Sequence, residues 1–314
     1  MRIGNWAKHP VLVASRAVVS TAWLRELGVP GRTITRRCEP GGTWQKLLPR
    51  AILLSRAVPT EDQRIAAALI YAGENAIVTG LSALRRYGLR QAPAPNRVHL
   101  LAPRGAVTSR DFVVIEATTR LPRSRIRMDV PVAPIPRALI DAARRLSNPR
   151  AVQAMMAEAI QRRDCTVAAL AQELADGPKV GSSLARKALI PLLDGVHSVA
   201  EADAWELWQR SGLPACQWNV KIFDEHGNFI AKPDAWCRKV GFAWEIDSRD
   251  HHSEDDDFAN TVARNARYAA AGIVVLQTLP AWIRSEPDKV IAQLRAAYEA
   301  AERRPCPNTR TQGS

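Results

Sequence analysis

The sequence predicts an α+β protein built from more than one domain. Its 314 residues are about twice the length of a typical domain, so two or three domains are expected. Hydrophobic residues make up 46% of the chain, which includes nine Trp, as in a folded globular protein. Helical and strand-like apolar patterns alternate along the chain in three segments. The predicted domains are residues 1–56, 57–193 and 194–304, and the tail, 305–314, is expected to be disordered.

Positive charge is concentrated in the first half of the chain. The net charge is +13, but residues 1–160 alone carry 25 Lys and Arg against 10 Asp and Glu, a net +15. Residues 161–314 carry 19 against 21, a net −2. Most of the excess is Arg, whose planar guanidinium suits phosphate groups and guanine edges. A nucleic-acid partner is therefore expected for the first half, and the alternative is an Arg-rich composition without such a role.

No segment has the pattern of a membrane span or an export signal. No apolar run approaches the roughly 20 residues that cross a bilayer, and the opening MRIGNWAKHPVLVAS has a short, broken apolar stretch. We therefore expect no membrane partner and a cytoplasmic location. The cysteines are scattered without a close pair, so neither a disulfide frame nor a zinc site is predicted. They are expected to be reduced thiols: Cys38, Cys165, Cys216, Cys237 and Cys306.

The first segment has the pattern of a winged helix-turn-helix. Residues 18–27 predict a short helix that ends at Gly28, and a GVPGR turn leads into a second helix at 32–38. A Pro-Gly-Gly stretch ends that helix, and residues 44–54 predict a strand pair, the wing. In this motif the second helix enters the major groove of duplex DNA. A small helical domain with a solvated basic face is the alternative.

Basic and hydroxyl side chains of the second helix and the wing are the candidate DNA-binding residues. The helix carries its Arg and Thr residues around one apolar anchor, Ile34, so they are expected to face solvent. Phosphate contacts are expected from the Arg cluster and the wing, and base contacts from the exposed Arg and Thr side chains of the helix. The predicted residues are Arg32, Thr33, Thr35, Arg36, Arg37, Lys46 and Arg50.

The second segment is predicted to be an α/β scaffold without catalytic spacing. Thr60 and Gln63 form a capping-box pattern before a helix that ends near Ala72. Two strand patterns follow within 97–119, and PIPRALIDAARR opens a run of helices that reaches about residue 193. Nothing in this segment points to catalysis.

Two short motifs here are similar to those of a known family. TG-x-SAL-x3-GL begins at Thr79, and PR-ALID begins at Pro136. With the predicted winged helix, residues 10–190 resemble the AbiEi-type antitoxins of bacterial type IV toxin–antitoxin systems. The resemblance implies a transcriptional regulator that binds double-stranded operator DNA through the second helix. A cognate toxin as partner follows only by analogy.

The third segment predicts the order αβββαβα. SVAEADAWELWQRSGLP predicts a helix, QWNVKIF a strand, and FIAKPDAWCRKVGFAWEIDS two strands around a short basic turn. DFANTVARNARYAAAG predicts a helix, IVVLQT a strand, and PDKVIAQLRAAYEAAERR a final helix. This order is similar to the core of the PD-(D/E)xK, or restriction-endonuclease-like, nuclease fold.

Three acidic side chains are expected on one face of this hairpin. If the turn is centred on Lys239 and Val240, Asp234 lies directly opposite Glu245, with Cβ atoms about 5 Å apart. Asp247, two residues further on, shares that face. Carboxylates at this spacing repel one another unless a cation or proton joins them, and oxygen-only clusters suit Mg²⁺. The sequence predicts a Mg²⁺ site at these three residues if the domain is active, and no cofactor otherwise.

Glu201 is a fourth candidate carboxylate. Ser198 and Glu201 fit a capping box in which the Glu only satisfies a backbone N–H. Glu201 is also spaced at i, i+4 and i+7 with Trp205 and Trp208, on the aromatic stripe of the helix. The two interpretations are compatible, and both stay open.

The hairpin and the residues after it resemble the Vsr-like branch of this nuclease fold, relatives of the very-short-patch repair endonucleases. The signature is an acidic strand, then E-[VI]-D-x-x-x-H, then a helix with Arg. The resemblance implies catalytic roles for Asp234, Glu245, Asp247 and His251, and the helix pattern adds Glu201 to this candidate catalytic set. It also implies DNA contacts from the helix residues Arg264 and Arg267.

One departure from the broader nuclease pattern bears on activity. The lysine that usually lies two residues after the Glu is Asp247 here, so either His251 acts as the base or the site is inactive. A solvated acidic loop with incidental His residues is the alternative for RDHHSEDDD. Two functions therefore stay open: a regulator with a degenerate nuclease-fold domain, and a metal-dependent DNA endonuclease directed by the winged helix.

Overall fold

The computed structural model describes residues 17–105, 107–196, 198–247 and 254–311, with side chains described from 260 in the last range. The chain is a mixed α/β protein, and it divides into two compact units. The first comprises residues 1–147 and 172–182, and the second 148–171 and 183–314. The helical residues 148–171 and 183–193 thus group with the C-terminal half, whereas the sequence placed a domain boundary after residue 193. Among the described residues, no helix is long and apolar enough to cross a membrane.

The first unit begins with two short helices and a three-stranded antiparallel sheet of order β1-β3-β2. The elements are β1 (Val18–Ser20), α1 (Thr21–Glu26), α2 (Gly31–Cys38), β2 (Gln45–Leu48) and β3 (Ala51–Leu53). The second helix and the strand pair form where the sequence predicts them. The first helix starts later than predicted, because Val18 and Val19 pair with β3 and the Ser20 hydroxyl caps the helix by accepting from the Trp23 N–H at 3.0 Å.

The described residues up to 147 also contain a five-stranded sheet of order β6-β5-β4-β8-β7 and three further helices. Its elements are α3 (Glu61–Ala72), β4 (Ile77–Val78), α4 (Gly80–Arg86), β5 (Val98–Ala102), β6 (Val113–Ala117), β7 (Arg125–Arg127), β8 (Val130–Val132) and α5 (Ile135–Ala143). The predicted capping box is present: Thr60 and Gln63 exchange side-chain and backbone hydrogen bonds, and the helix ends at Gly73.

The two motifs that carry the AbiEi resemblance meet in the core of this unit. The Thr79 hydroxyl donates to Asp141 Oδ2 at 2.6 Å, and Arg137 Nε donates to the same carboxylate at 2.8 Å. Thr79, Arg137 and Asp141 are all almost completely buried. Arg137 also approaches Glu116 at 3.4 Å. A buried arginine of this kind needs its carboxylate partners, so the motifs join α4 to α5 through a polar contact inside the core.

The second unit contains a four-stranded sheet of order β14-β13-β12-β9 and a small sheet of order β11-β10-β15. Its helices are α6 (Pro149–Gln161), α7 (Val167–Asp176), α8 (Ser183–Leu193), α9 (Val199–Ser211), α10 (Glu254–Ala270), α11 (Pro280–Ser285) and α12 (Pro287–Glu302). The boundary between the two units falls within α7. Its strands are β9 (Gln217–Trp218), β10 (Ile222–Phe223), β11 (Phe229–Ala231), β12 (Ala235–Cys237), β13 (Phe242–Ile246), β14 (Val274–Thr278) and β15 (Arg310–Thr311).

The predicted first and second strands of this unit are each divided. Asn219, in a left-handed conformation with φ +56°, separates β9 from β10, and the two strands join different sheets. Pro233 lies between β11 and β12, which likewise belong to different sheets. The expectation of a disordered tail is also not met within 305–311, because β15 pairs with β10 and Thr311 is buried. The tail strand covers one edge of β10, whose backbone groups would otherwise lack partners.

The hairpin β12–β13 has the register that its sequence predicts. Ala235 pairs with Trp244 and Cys237 with Phe242, so the turn is centred on Lys239 and Val240. One face packs Trp244 and Phe242 against Trp208 of α9, with ring centroids about 6 Å apart. β14 then adds in parallel beside β13. The hairpin is therefore held in the middle of the sheet, and its opposite face is turned toward α10.

Candidate functional site

The predicted carboxylate pair lies at the start of β12 and the end of β13. One step beyond the pairing of Ala235 with Trp244, the register places Asp234 directly opposite Glu245. Asp234 Oδ2 accepts a hydrogen bond of 2.6 Å from the Ile246 N–H. The adjacent residues of this face, Trp236 and Ala243, are buried beneath α10.

Helix α10 supplies the partners of Glu245. The Tyr268 hydroxyl donates to Glu245 Oε1 at 2.6 Å, and Arg264 Nη1 lies 3.5 Å from Glu245 Oε2. The Glu245 side chain is only 6% exposed. Arg264 and Tyr268 are four residues apart and share one face of the helix, which is how both reach the same carboxylate. Sequence reasoning missed Tyr268, although this spacing from Arg264 was a usable signal.

Glu201 is connected to Asp234 through Asn219. The Ser198 hydroxyl caps α9 by accepting from the Glu201 N–H at 3.1 Å. The Glu201 carboxylate accepts from the Asn219 side-chain amide, and the Asn219 N–H donates to the Asp234 carbonyl oxygen at 3.0 Å. Asn219 was not a predicted site residue, because its role depends on the break between β9 and β10. The helix cap and the acidic cluster thus both involve Glu201.

Burial raises the pKa values of the two opposed carboxyl groups, and neighbouring carboxylates add to the rise. Burial is the main reason that the pKa of Asp234 rises to about 7, and the charges of Glu201 and Glu245 add to it, against the Ile246 N–H and Arg264. Burial also raises the pKa of Glu245, with opposing effects from Tyr268 and Arg264. The pKa of Tyr268 is raised in turn by burial and by Glu245. The cluster therefore holds a proton close to neutral pH.

The other predicted residues of this site have different surroundings. Asp247 is half-buried just after β13, and its N–H donates to the Thr278 carbonyl at 3.0 Å. Arg264 Nε is buried and makes no hydrogen bond to the described residues. Arg267 Nε donates to the Ile230 carbonyl at 2.6 Å, which fastens α10 to β11. His251 lies outside the described residues.

The described side chains do not gather the donors that the predicted Mg²⁺ site needs. Carboxylate oxygens are the ligands that Mg²⁺ prefers. Among the described residues, however, no group of three or more His, Cys, Asp or Glu side chains is placed to hold a metal ion. Asp234 and Glu245 direct oxygen atoms to protein donors instead. As arranged here, Asp234, Glu245 and Asp247 do not fit a metal site, and Mg²⁺ binding stays a prediction.

The predicted DNA-binding residues of the first unit form a basic surface on α2 and the β2–β3 hairpin. Ile34 is the buried residue of α2 and packs with Leu24, Val29, Trp44 and Ile52. Thr33 and Arg37 are half-exposed, and the exposed members are Arg32, Thr35, Arg36, Lys46 and Arg50. The helix α2 contains no acidic residue.

Two arginines near this surface are tied into the fold. The guanidinium of Arg50 donates to the Tyr71 carbonyl at 2.7 Å, at the end of α3. This carbonyl would compete with a DNA phosphate for the Arg50 side chain. Arg56 was not predicted; its guanidinium donates to the carbonyls of Trp44 and Glu39 at 3.0 and 3.2 Å. The Arg37 guanidinium lies 4.7 Å above the Trp44 ring. These contacts hold the helix and the hairpin together.

Comparisons with known proteins found only a weak structural similarity. No family model matches the chain, and no curated protein matches it. Among solved structures, the chain is similar to the RV2827C protein from Mycobacterium tuberculosis, with 18% sequence identity and a TM-score of 0.40. The match covers 65% of this chain and 81% of that chain. At that level of similarity it carries no argument about function.

Proposed function

We propose that this chain is a DNA-binding transcriptional regulator of the AbiEi type, with a winged helix-turn-helix at its N-terminal end. The observation that carries the proposal is α2, which buries Ile34 and presents Arg32, Thr35 and Arg36 to solvent. Residues 1–60 hold ten Lys and Arg against two acidic residues. Uncompensated positive charge on a short exposed helix is what a phosphate backbone attracts.

The geometry of α2 supports entry into the major groove. Its eight residues are about 12 Å long, close to the width of that groove in B-DNA. Arg32 and Arg36 are four residues apart, and Thr35 is three from Arg32, so all three lie on one face of the helix. Arg32, Arg36 and Lys46 make no ion pair or hydrogen bond with the residues that the structure describes. Their charges are therefore available to a ligand.

In this proposal the hairpin β2–β3 is the wing of the winged helix-turn-helix. Lys46 is exposed on β2. Burial raises the pKa of the Cys38 thiol, and the positive charges of Lys46 and Arg56 partly oppose that rise. The wing's charge therefore lies close to the end of α2. Lys46 is assigned to a phosphate, whereas Arg50 is assigned to the fold because it holds the Tyr71 carbonyl. A cognate toxin as partner rests on the family resemblance alone.

The test compares DNA binding by the full chain and by the Arg32→Ala/Arg36→Ala variant, using fluorescence anisotropy over a series of salt concentrations. Each lost phosphate contact is expected to weaken binding by on the order of 1 kcal/mol and to reduce the slope of log K against log salt by about 1. Arg303→Ala, at the exposed residue that caps the C-terminal end of α12, is the control and is expected to leave binding unchanged. Equal binding by the double variant and the parent chain would reject α2 as the recognition helix.

A second candidate function is a metal-dependent DNA endonuclease, with the C-terminal unit as its nuclease-fold domain. It is favoured by the acidic cluster, where burial, together with the charges of Glu201 and Glu245, raises the pKa of Asp234 to about 7. Clusters with strongly shifted pKa values occur often at catalytic sites. It is weakened by the contacts of Asp234 and Glu245 with protein donors and by Asp247 in place of the usual lysine. The endonuclease is therefore the second candidate function. In the first proposal, the C-terminal unit is a degenerate nuclease-fold domain.

Titration calorimetry with Mg²⁺ and Mn²⁺, together with a plasmid-nicking assay, tests this candidate. The endonuclease requires cation binding and nicking by the parent chain, and both should be lost in Asp234→Asn, because an amide is nearly isosteric but a poorer ligand. Asp224→Asn, in the exposed turn between β10 and β11, is the control and should keep both activities. No cation binding and no nicking by the parent chain would reject the enzyme and leave the regulator.

A further inference from the structure

Two cysteines that are far apart in sequence are neighbours across β9 and β12. These strands are antiparallel, with Ala235 opposite Trp218 and Trp236 opposite Gln217. One further step of the same register places Cys237, the last residue of β12, opposite Cys216, which directly precedes β9. Side chains at opposed positions project to the same face of a sheet.

The hydrogen-bond pattern shows which kind of pair the two cysteines form. The Asn219 N–H donates to the Asp234 carbonyl at 3.0 Å, which marks residues 219 and 234 as a hydrogen-bonded pair. Such pairs alternate along an antiparallel ladder with non-hydrogen-bonded pairs. Counting three steps from there, Cys216 and Cys237 are a non-hydrogen-bonded pair, in which Cα atoms are about 4.5 Å apart. Disulfides need Cα separations of about 4.4–6.8 Å.

The surroundings of the two thiols are also compatible with a bond between them. Both belong to the apolar core beneath α9 and α12, where Cys237 is 6% exposed and Cys216 is half-buried. A hydrogen bond with Cys237 raises the pKa of Cys216, as do its burial and the charge of Asp194. Tyr298 of α12 also lies beside Cys237. The thiols therefore touch, Cys216 is partly accessible to solvent, and its reaction is slow at neutral pH because little of it is thiolate.

We propose that Cys216 and Cys237 are a redox-modification site that closes to a disulfide between β9 and β12 on exposure to a peroxide. Peroxide oxidises the Cys216 thiolate to a sulfenic acid and leaves as hydroxide. The Cys237 sulfur then attacks the sulfenic sulfur, forms the S–S bond and displaces the oxygen as water. Over both steps the two thiols lose two electrons and two protons, and one peroxide is reduced to two waters. A small thiol reverses the reaction by exchange.

The bond would act on the strand that borders the acidic cluster. β9 is the edge strand of its sheet, and it is followed directly by Asn219, the residue that links Glu201 to Asp234. A disulfide joining β9 to β12 restricts the unfolded chain and holds this edge in place. The oxidised protein is therefore expected to be more stable than the reduced one. This inference does not depend on DNA binding or on nuclease activity.

The experiment uses the full chain and a variant, Cys38→Ser/Cys165→Ser/Cys306→Ser, that retains the pair alone. After treatment with hydrogen peroxide, non-reducing peptide mapping is expected to find an intramolecular link between Cys216 and Cys237 in both proteins. Alkylation of the denatured variant should find no free thiol, the melting temperature should rise, and dithiothreitol should reverse each change. Because the unaltered chain is mapped as well, the test does not depend on the folding of the variant.

Adding Cys216→Ser to that variant gives the matched control. Cys237 should then stay alkylatable, and peroxide should no longer raise the melting temperature. Free thiols at both Cys216 and Cys237 after peroxide treatment of the native protein, or a link only between different molecules, would overturn the proposal. So would a rise in melting temperature that persists in the control, because the stabilisation would then have another source.

Discussion

The Tyr268 hydroxyl donates a 2.6 Å hydrogen bond to Oε1 of Glu245, and both side chains are almost fully buried. This bond joins α10 to β13 at a carboxylate that has no access to bulk water. Buried polar atoms without a partner are costly, so the contact supports both the orientation of the carboxylate and the attachment of the helix. It is the main link between the helix and the acidic face of the hairpin.

Replacement of Tyr268 by Phe should therefore destabilise the protein. The Phe ring keeps the apolar contacts, but Glu245 Oε1 loses its donor, which costs about 1–3 kcal/mol of unfolding free energy. Urea denaturation at neutral pH measures the loss. Tyr298→Phe is the control, because the Tyr298 hydroxyl makes no hydrogen bond to the described residues, and a change below about 0.5 kcal/mol is expected. Equal losses in the two variants would contradict this role of Tyr268.

Asp234 should make stability fall as pH rises through the range from about 4 to about 7. Its pKa is about 7 in the folded protein, against about 4 for an aspartate in an unfolded chain. In that range the folded state keeps a proton that the unfolded state has released, so unfolding becomes easier as pH increases. The contribution is on the order of 4 kcal/mol, from about three pKa units at about 1.4 kcal/mol each.

Thermal denaturation of Asp234→Asn across this pH range checks the effect. The variant should lose the decline and be more stable than the parent chain above pH 7, since the amide oxygen still accepts from the Ile246 N–H. Asp288→Asn, at a highly exposed position of α12, should leave the pH profile unchanged. Parallel profiles for Asp234→Asn and the parent chain would show that the aspartate titrates in its ordinary range.

Asp141→Ala should strongly destabilise the first unit. The change leaves the buried Arg137 without its closest carboxylate, and breaking a buried pair costs about 3–5 kcal/mol. Glu116, at 3.4 Å from Arg137, compensates part of this cost. The double variant Arg137→Met/Asp141→Leu removes both charges and should recover stability relative to Asp141→Ala. Chemical denaturation of the three proteins tests this order, and a double variant less stable than Asp141→Ala would contradict it.

Local patterns in the sequence were sufficient for elements whose determinants lie within a few residues. The capping box at Thr60, the helix α2 around Ile34 and the register of the β12–β13 hairpin all formed as predicted. Every residue of the two strands is buried, with Phe242 and Trp244 on the face packed against α9 and Asp234 and Glu245 on the other face. A one-residue slip would move each side chain to the opposite face, and the carboxyl groups into the apolar core. That energetic difference is large enough for the pattern to specify the pairing of Asp234 with Glu245.

The tertiary structure decided everything that depends on contacts between distant residues. Val18 and Val19 became a strand because β3 offered a partner, and the tail at residues 310–311 was ordered by the free edge of β10. Tyr268 and Asn219 became neighbours of the carboxylates only when α10 and β9 were placed. The sequence separates Cys216 from Cys237, but the sheet places them side by side. The periodicity of apolar residues predicts which face of a helix or strand is buried. Which residue lies across the interface depends on how distant segments pack together, and no local sequence pattern specifies that packing.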